Sequence, residues 1–288
     1  MDSWGGLITL YLFFSGLGAG LFAAVAGLES FNPSKTFKRT FVRGVSWSWI
    51  LITLGITMFA LSLGHPERAY RTLIYPHLTS PMSWGTILIV TLMLLSLAYW
   101  LAQTGFLIRN RVPSLWELLK RHRTVIAILG GMVAFMAGTY TGVLLSYTRN
   151  LLWNNPTVPI LFLVSTLGMG YALFLFIAKS TREMEQTRLW QHLPKLMVIL
   201  GVLELLIVLV YIIYLPTEAR SALLNLGTVY GTLFTLIFLG GGVILGKIGL
   251  PLFGMRTGGS SLLYLSTLLI LTGGFMLQYV LIQLGPTL

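Results

Sequence analysis

The 288-residue sequence contains no cysteine and few charged side chains. Without cysteine the chain offers no thiolate ligand for an iron–sulfur cluster or a haem, and it forms no disulfide. Charged residues make up only 9% of the sequence, whereas soluble domains contain about 25%. Any iron–sulfur centre that works with this protein must therefore belong to a partner, and the scarcity of charge argues against a soluble fold.

Apolar residues are abundant instead, at 56% of the sequence, and they occur in long runs. A run of about 20 apolar residues forms a helix long enough to cross a hydrocarbon core about 30 Å thick. We therefore predict an all-α, polytopic membrane protein with about eight transmembrane helices in a single integral membrane domain. The predicted spans lie near residues 5–29, 44–64, 82–108, 125–147, 157–179, 196–215, 223–246 and 260–283.

The basic residues indicate how these spans are oriented. A net charge of +11 would suggest nucleic acid binding in a soluble chain, but here the positive charges lie in the loops between apolar runs and indicate no nucleic acid partner. Cytoplasmic loops of membrane proteins are enriched in Lys and Arg. Fifteen of the nineteen basic residues fall in the odd-numbered loops, which predicts a protein of the cytoplasmic membrane with both termini extracytoplasmic. These fifteen are Lys35, Lys38, Arg39, Arg43, Arg109, Arg111, Lys120, Arg121, Arg123, Lys179, Arg182, Arg188, Lys195, Lys247 and Arg256.

The four histidines argue against haem and metal ligation. A haem b in a helical bundle needs two histidines within spans at matching depths. His65 and His77 lie at the outer edge of the predicted spans, whereas His122 and His192 lie in cytoplasmic loops. Asp and Glu are equally scarce, so the sequence predicts no haem and no metal site in this chain.

Polar and aromatic residues gather near the predicted outer surface. Tyr11 and Tyr140 lie about six and seven residues inside the outer ends of their spans, or roughly 9–11 Å deep. A single Tyr or Trp near a membrane surface is ordinarily an anchor in the aromatic belt. The depth of the two phenols favours a binding role instead. Four further polar or aromatic side chains are predicted at this outer level: His65, Arg68, Ser80 and Trp84.

Two acidic residues fall within or beside the spans. Glu204 lies near the predicted midplane, where an acidic side chain costs about 2.5–3.5 kcal/mol on insertion scales. Such a residue serves either as part of a proton path or as one member of an interhelical bond. Glu29, at the cytoplasmic end of the first span, is interpreted as an interfacial residue with easy access to water and as a second candidate for the proton path.

Four stretches of this sequence are similar to the polysulfide reductase/NrfD family of integral membrane subunits. The first is Leu10-Tyr11-Leu12-Phe13-Phe14-Ser15-Gly16-Leu17-Gly18-Ala19-Gly20, and the second is Leu63-Gly64-His65-Pro66-Glu67-Arg68. The third runs from His77 to Gly85 and the fourth from Gly138 to Ser146. They follow the family's order through the first four spans, whereas the last four spans match in length and character only.

The resemblance implies two four-helix groups without haem and a quinone site near the extracytoplasmic face. The family's quinone-contacting tyrosine falls on Tyr140, and its polar contact from the first span falls near Tyr11. His65, Arg68, Ser80 and Trp84 lie in or beside the matching stretches and complete the expected site. The family commonly has an acidic residue where this sequence has Ser62. Implied partners are a ferredoxin-like iron–sulfur subunit and a molybdenum or tungsten pterin catalytic subunit, docked on the extracytoplasmic face.

The expected function is oxidation of a quinol, menaquinol for preference, with electrons passed to the iron–sulfur partner, or the reverse reaction. On this interpretation the chain is one subunit of a respiratory oxidoreductase, and reduction of the terminal substrate takes place in another subunit. Eight spans with a buried Glu also suit a small-solute secondary transporter, although inverted repeats and broken helices are not evident. A haem b membrane anchor is the third alternative, which the histidine positions disfavour.

The distribution of basic residues makes the orientation testable. A single cysteine introduced in the 30–43 loop should be shielded from a membrane-impermeant thiol reagent in intact cells, whereas a cysteine near Thr217 should be labelled. The native sequence contributes no background labelling, because it has no cysteine. The reverse pattern would contradict the predicted orientation.

Overall fold

A computed structural model describes residues 3–31, 37–63, 81–106, 108–185, 187–257 and 260–287. All regular elements in these ranges are helical, and eight helices are long and apolar enough to cross a membrane. The prediction of an all-α, polytopic membrane protein with eight spans is confirmed. The eight are α1 (Ser3–Phe31), α2 (Lys38–Ser62), α3 (Pro81–Thr104), α4 (Arg123–Ser146), α5 (Thr157–Thr181), α6 (Leu193–Tyr214), α7 (Val229–Met255) and α8 (Ser260–Leu284).

The outer surface of the helical bundle is apolar. Large side chains of α6, including Ile199, Leu206 and Ile213, are exposed on the outside of the protein. Contiguous apolar surface of this kind would promote aggregation of a soluble protein, whereas in a bilayer it contacts lipid. Each helix satisfies its own backbone hydrogen bonds, as a segment in hydrocarbon must.

The helices form two groups of four, α1–α4 and α5–α8, and the groups meet where α1 packs against α5. Glycines allow the two backbones to touch. A Cβ atom placed on Gly20 would lie 2.1 Å from the carbonyl oxygen of Thr166, and one placed on Gly170 would lie 2.0 Å from the carbonyl carbon of Gly20. Gly142 of α4 similarly lies against Pro159 of α5. Small residues are the usual means of close helix packing in membranes, where no hydrophobic force draws helices together.

The seventh span lies further along the chain than the predicted range of 223–246. A separate short helix, Thr217–Leu224, precedes it, and the π-helical segment Leu233–Gly249 forms most of it. Lys247, which the sequence analysis assigned to a cytoplasmic loop, is therefore buried inside α7. Fourteen of the other eighteen basic residues lie in odd-numbered loops or in the helix ends that adjoin them along the sequence, so the basis for the predicted orientation survives.

Contacts at both ends of the bundle join the two groups. At one end the carboxylate of Glu183, which follows α5, accepts hydrogen bonds from the backbone N–H groups of Arg39 and Thr40, at 3.2 and 2.9 Å, in the first turn of α2. At the other end Gly5 of α1 lies against Gln283 of α8. The start of α1 and the end of α8 therefore lie at this second end, which we call the terminal end of the bundle.

The contact between α1 and α5 predicts a large effect of a single methyl group. Gly20→Ala should force the two helices apart, because its Cβ has no space beside the Thr166 carbonyl, and should cost at least about 1–3 kcal/mol. The matched control is Gly27→Ala on the same helix, where a Cβ meets no atom within 4 Å. Thermal melting of the purified protein in detergent should show a lower midpoint for Gly20→Ala alone, and equal midpoints for the two variants would contradict this packing.

Candidate functional site

Five helices surround a small cavity in the half of the bundle nearest the terminal end. It lies between α1, α3, α4, α5 and α8 and has a volume of about 20 Å³, which is room for about one water molecule. Tyr11 lies eight residues after the first residue of α1, and Tyr140 lies six residues before the last residue of α4. At 1.5 Å per residue the cavity is therefore about 9–12 Å inside the bundle.

The ring of Tyr140 packs directly on the backbone of α3 at Gly85. A Cβ atom on Gly85 would lie 2.2 Å from Cε1 of Tyr140 and 2.7 Å from its hydroxyl oxygen, so only glycine leaves space for this ring. The phenol also forms a hydrogen bond with the Gly85 backbone. Gly138 and Gly142 face α5 on the other side of α4. The helical periodicity of this segment thus places Tyr140 toward the cavity.

Tyr11 lies across the cavity on α1. Its ring centroid is 4.9 Å from that of Phe59 on α2, and its side chain lines the same cavity as that of Tyr140. One turn further along α1, the Ser15 hydroxyl donates a hydrogen bond to the Tyr11 carbonyl. The structure therefore brings together the two phenols that the sequence singled out, and apolar side chains such as Leu88 and Phe162 line the walls around them.

Gln278 of α8 is a member of the site that the sequence analysis did not identify. Its side chain is only 2% exposed, and its Oε1 atom has no hydrogen-bond partner among the described residues. Thr166 of α5, also buried, lies beside it against Gly16. A buried amide in an apolar span is costly unless it has a partner. The available signal was that Gln278 lies inside the eighth apolar run rather than at its end.

Of the other four predicted quinone contacts, Trp84 alone lies among the described residues. His65, Arg68 and Ser80 lie outside the described residues. Trp84 precedes Gly85 on α3, but its side chain is 50% exposed and does not line the cavity. Its placement favours an interfacial anchor of the aromatic belt.

Glu29 does not have the easy access to water that the sequence analysis expected. Its side chain is fully buried at the end of α1 opposite the cavity. Nε of Arg123, at the start of α4, lies 3.0 Å from Oε1 of Glu29, and the Tyr99 hydroxyl on α3 donates to Oε2 at 3.2 Å. Gln103 in turn donates from Nε2 to the Tyr99 oxygen at 2.8 Å. This network holds α1, α3 and α4 together.

Glu204 has a buried partner of opposite charge. Its Oε2 atom forms an ion pair with Nζ of Lys247, which joins α6 to α7, and both side chains are almost completely buried. The Lys247 side chain passes Gly201 and ends against Gly168 of α5, where any larger residue would collide with it. Of the two interpretations drawn from the sequence, the interhelical bond is present. A role in a proton path stays a prediction.

Eight apolar helices around internal polar groups define a multi-pass membrane protein. The chain belongs to the NrfD family, because the family described as Polysulphide reductase, NrfD, matches residues 2–287. The resemblance drawn from the first four spans is thereby confirmed, and the match extends it to the last four.

Three relatives are similar to parts of this chain. A selenate reductase subunit of Mesobacillus selenatarsenatis is 29% identical over 212 residues, covering 61% of this chain and 48% of the relative. Protein NrfD of Escherichia coli is 28% identical over 198 residues, covering 62% and 60%. Protein NrfD homolog of Haemophilus influenzae is 25% identical over 187 residues, covering 60% and 58%. The chain thus spans about half to three fifths of the length of these relatives.

The ion pair between α6 and α7 gives a prediction about stability. Glu204→Gln should leave Lys247 buried without a counter-charge and should destabilise the protein by about 3–5 kcal/mol. The double variant Glu204→Leu with Lys247→Met removes both charges and should recover most of that loss. Melting midpoints in detergent provide the measurement. If the double variant were less stable than Glu204→Gln, the unpaired charge on Lys247 would not explain the loss of stability.

Proposed function

We propose that this chain is the quinone-reactive membrane subunit of a respiratory oxidoreductase and that the quinone head group binds at the cavity between α1, α3, α4, α5 and α8. The observation that carries the proposal is the convergence of Tyr140, Tyr11 and Gln278 on one small cavity with apolar walls. A few polar groups placed among apolar side chains are typical of small-molecule sites. Family membership and the relative named as a selenate reductase subunit support the same function.

The side chains that line this cavity are chemically suited to a quinone. A quinone head group is a flat apolar ring with two carbonyl oxygens, and the phenols and the Gln278 amide are suitable hydrogen-bond donors to such oxygens. The cavity itself has a volume of only about 20 Å³, less than a ring requires. The head group therefore enters when the Tyr140 ring moves away from Gly85, and the backbone bond to Gly85 is exchanged for a bond to the ligand.

Each group in the site has a definite task in quinol oxidation. The quinol supplies two electrons and two protons. A hydrogen bond from Tyr140 orients the ring and supports removal of a proton as the electrons leave. Tyr11 and Gln278 hold the ring from α1 and α8, and the apolar walls keep bulk water out. Quinone reduction uses the same residues in the reverse direction.

The proposed membrane, quinol and partner subunits rest on the family and on the sequence analysis. The chain is expected to lie in the cytoplasmic membrane, to use menaquinol, and to pass electrons to a ferredoxin-like iron–sulfur subunit on the extracytoplasmic face. A molybdenum or tungsten pterin subunit would complete the complex and reduce its terminal substrate. The chain has no cysteine of its own, so the electron acceptor must be held by another subunit.

Removing the Tyr140 hydroxyl tests this proposal. Tyr140→Phe keeps the ring on Gly85, so the complex should assemble, but it loses a hydrogen bond worth about 0.5–1.5 kcal/mol. Quinol-linked turnover should fall several-fold or more, while reduction of the terminal substrate with an artificial dye donor should be unchanged, because that assay bypasses the membrane subunit.

The matched control for this test is Tyr147→Phe, just after the end of α4, where the side chain is 80% exposed. It should leave both activities unchanged. Unaltered quinol-linked turnover in Tyr140→Phe would contradict the proposal and leave Tyr140 with a role in packing alone.

A further inference from the structure

A second, much larger cavity lies within the other four-helix group, at the end of the bundle opposite the termini. It has a volume of about 520 Å³ and is enclosed by α5, α6, α7 and α8 together with the turn that precedes α6. Lys179, Trp190 and Lys195 line it near the ends of their helices, and the Lys195 side chain is exposed. We call this cavity the inlet.

The inner end of the inlet lies next to the Glu204–Lys247 ion pair. On α5, Ala172 lines the inlet and lies four residues from Gly168, which contacts the Lys247 ammonium. On α6, Met197 lines the inlet and lies four residues from Gly201, which contacts the Lys247 stem. One helical turn is about 5.4 Å, so on both helices the inlet stops one turn short of the Lys247 side chain, and on α6 it stops about 10 Å along the helix from Glu204 itself.

The remaining two helices close the inlet in the same way. On α7, Leu250 lines the inlet three residues after Lys247. On α8, Ser266 lines it, and the Ser266 hydroxyl donates a hydrogen bond at 2.7 Å to the carbonyl oxygen of Gly246, the neighbour of Lys247. All four helices thus place the ion pair at the closed end of this cavity.

The pair is incompletely satisfied at this point. Oε2 of Glu204 contacts Lys247, whereas Oε1 is buried without a hydrogen-bond partner in the described part of the chain. A buried carboxylate oxygen without a partner is costly, and ordered water is the usual remedy. The inlet is large enough to hold many water molecules, and it has polar side chains at both ends: the two lysines outside, and Ser266 and Thr267 inside.

The charges around the inlet are few. Lys247 is the charged group that faces Glu204, while α5 contributes Gly168 to the pair and α8 contributes the Ser266 hydroxyl beside it. At the outer end Lys179 is paired with Glu185.

We propose that the inlet is filled with water and that through it the Glu204–Lys247 pair exchanges protons with the side of the membrane on which Lys179 and Lys195 lie. Uptake of one proton by Glu204 neutralises the carboxylate and leaves the positive charge on Lys247. Release of that proton to water restores the ion pair. The charge distribution of the loops predicts that this side is the cytoplasm. The proposal does not depend on quinone binding, since the quinone cavity lies at the other end of the bundle.

Cysteine accessibility tests whether water fills the inlet. In the cysteine-free native chain, single variants Lys195→Cys and Thr267→Cys are treated with a membrane-impermeant methanethiosulfonate reagent in right-side-out and inside-out vesicles. Thr267 is only 4% exposed and lines the inlet, whereas its neighbour Leu268 is 61% exposed on the outside of the bundle. Because the reagent requires a hydrated thiolate, Leu268→Cys at the same depth is the matched control.

Both Lys195→Cys and Thr267→Cys should react from the same side of the membrane, and Leu268→Cys should react from neither. If Thr267→Cys does not accumulate, Ser266→Cys takes its place. A reactive Lys195→Cys together with an unreactive inlet cysteine would show that the inlet is dry and would overturn the proposal.

Infrared spectroscopy of proteoliposomes tests proton exchange itself. Acidifying the side that Lys195 faces should raise a carboxylic acid band, and acidifying the other side should not. The double variant Glu204→Leu with Lys247→Met lacks both charges of the pair and serves as the reference, so that the difference spectrum cancels the bands of Glu183 and Glu185. The side-specific band should remain in the native-minus-variant difference spectrum, and its absence from that spectrum would contradict a role for the pair in proton exchange.

Discussion

Polar groups inside a bilayer must find partners within the protein, because hydrocarbon offers neither hydrogen bonds nor counter-ions. This constraint explains most of the internal organisation of the molecule. Glu29 is surrounded by Arg123 and Tyr99, and Glu204 is held by Lys247. Each cluster joins helices of one four-helix group, so the charges that are most costly to bury also hold the bundle together. Loss of either partner would leave a buried charge without compensation.

Several buried polar atoms of the described residues depart from this rule, and two of them lie at or near a cavity. Oε1 of Gln278 has no hydrogen-bond partner among the described residues at the small cavity, and Oε1 of Glu204 has none beyond the inner end of the inlet. At these two places a ligand or water would contribute the absent hydrogen bond. The two cavities lie at opposite ends of the bundle, which separates the proposed site for quinol from the proposed route for protons.

The sequence predicted the features that depend on local pattern. Apolar runs gave eight helices, and the spacing of Gly138, Tyr140 and Gly142 along one helix placed the phenol away from the glycine face, as the structure shows. The partners of Glu29 and Glu204 were not predictable in this way. They come from helices distant in the chain, and hydropathy does not reveal which helices are neighbours.

The buried position of Lys247 was likewise not predictable from the local sequence. It follows a glycine-rich apolar run, which is the usual position for a loop residue at the end of a span. The π-helical backbone instead continues past it, and Glu204 on α6 neutralises its charge inside the bundle. Gln278 was overlooked because its amide hardly alters the apolar character of α8. Its importance appears only when α1, α4 and α5 are packed around it.

The central claim is that quinone binds between α1, α3, α4, α5 and α8, and light-activated cross-linking tests it most directly. An azido-quinone with a menaquinone-like head group, irradiated with the purified complex and followed by peptide mass spectrometry, should label peptides that contain Tyr11 or Tyr140. Excess menaquinol should prevent that labelling. Labelling confined to peptides that line the inlet, such as those with Trp190 or Thr267, would contradict the account.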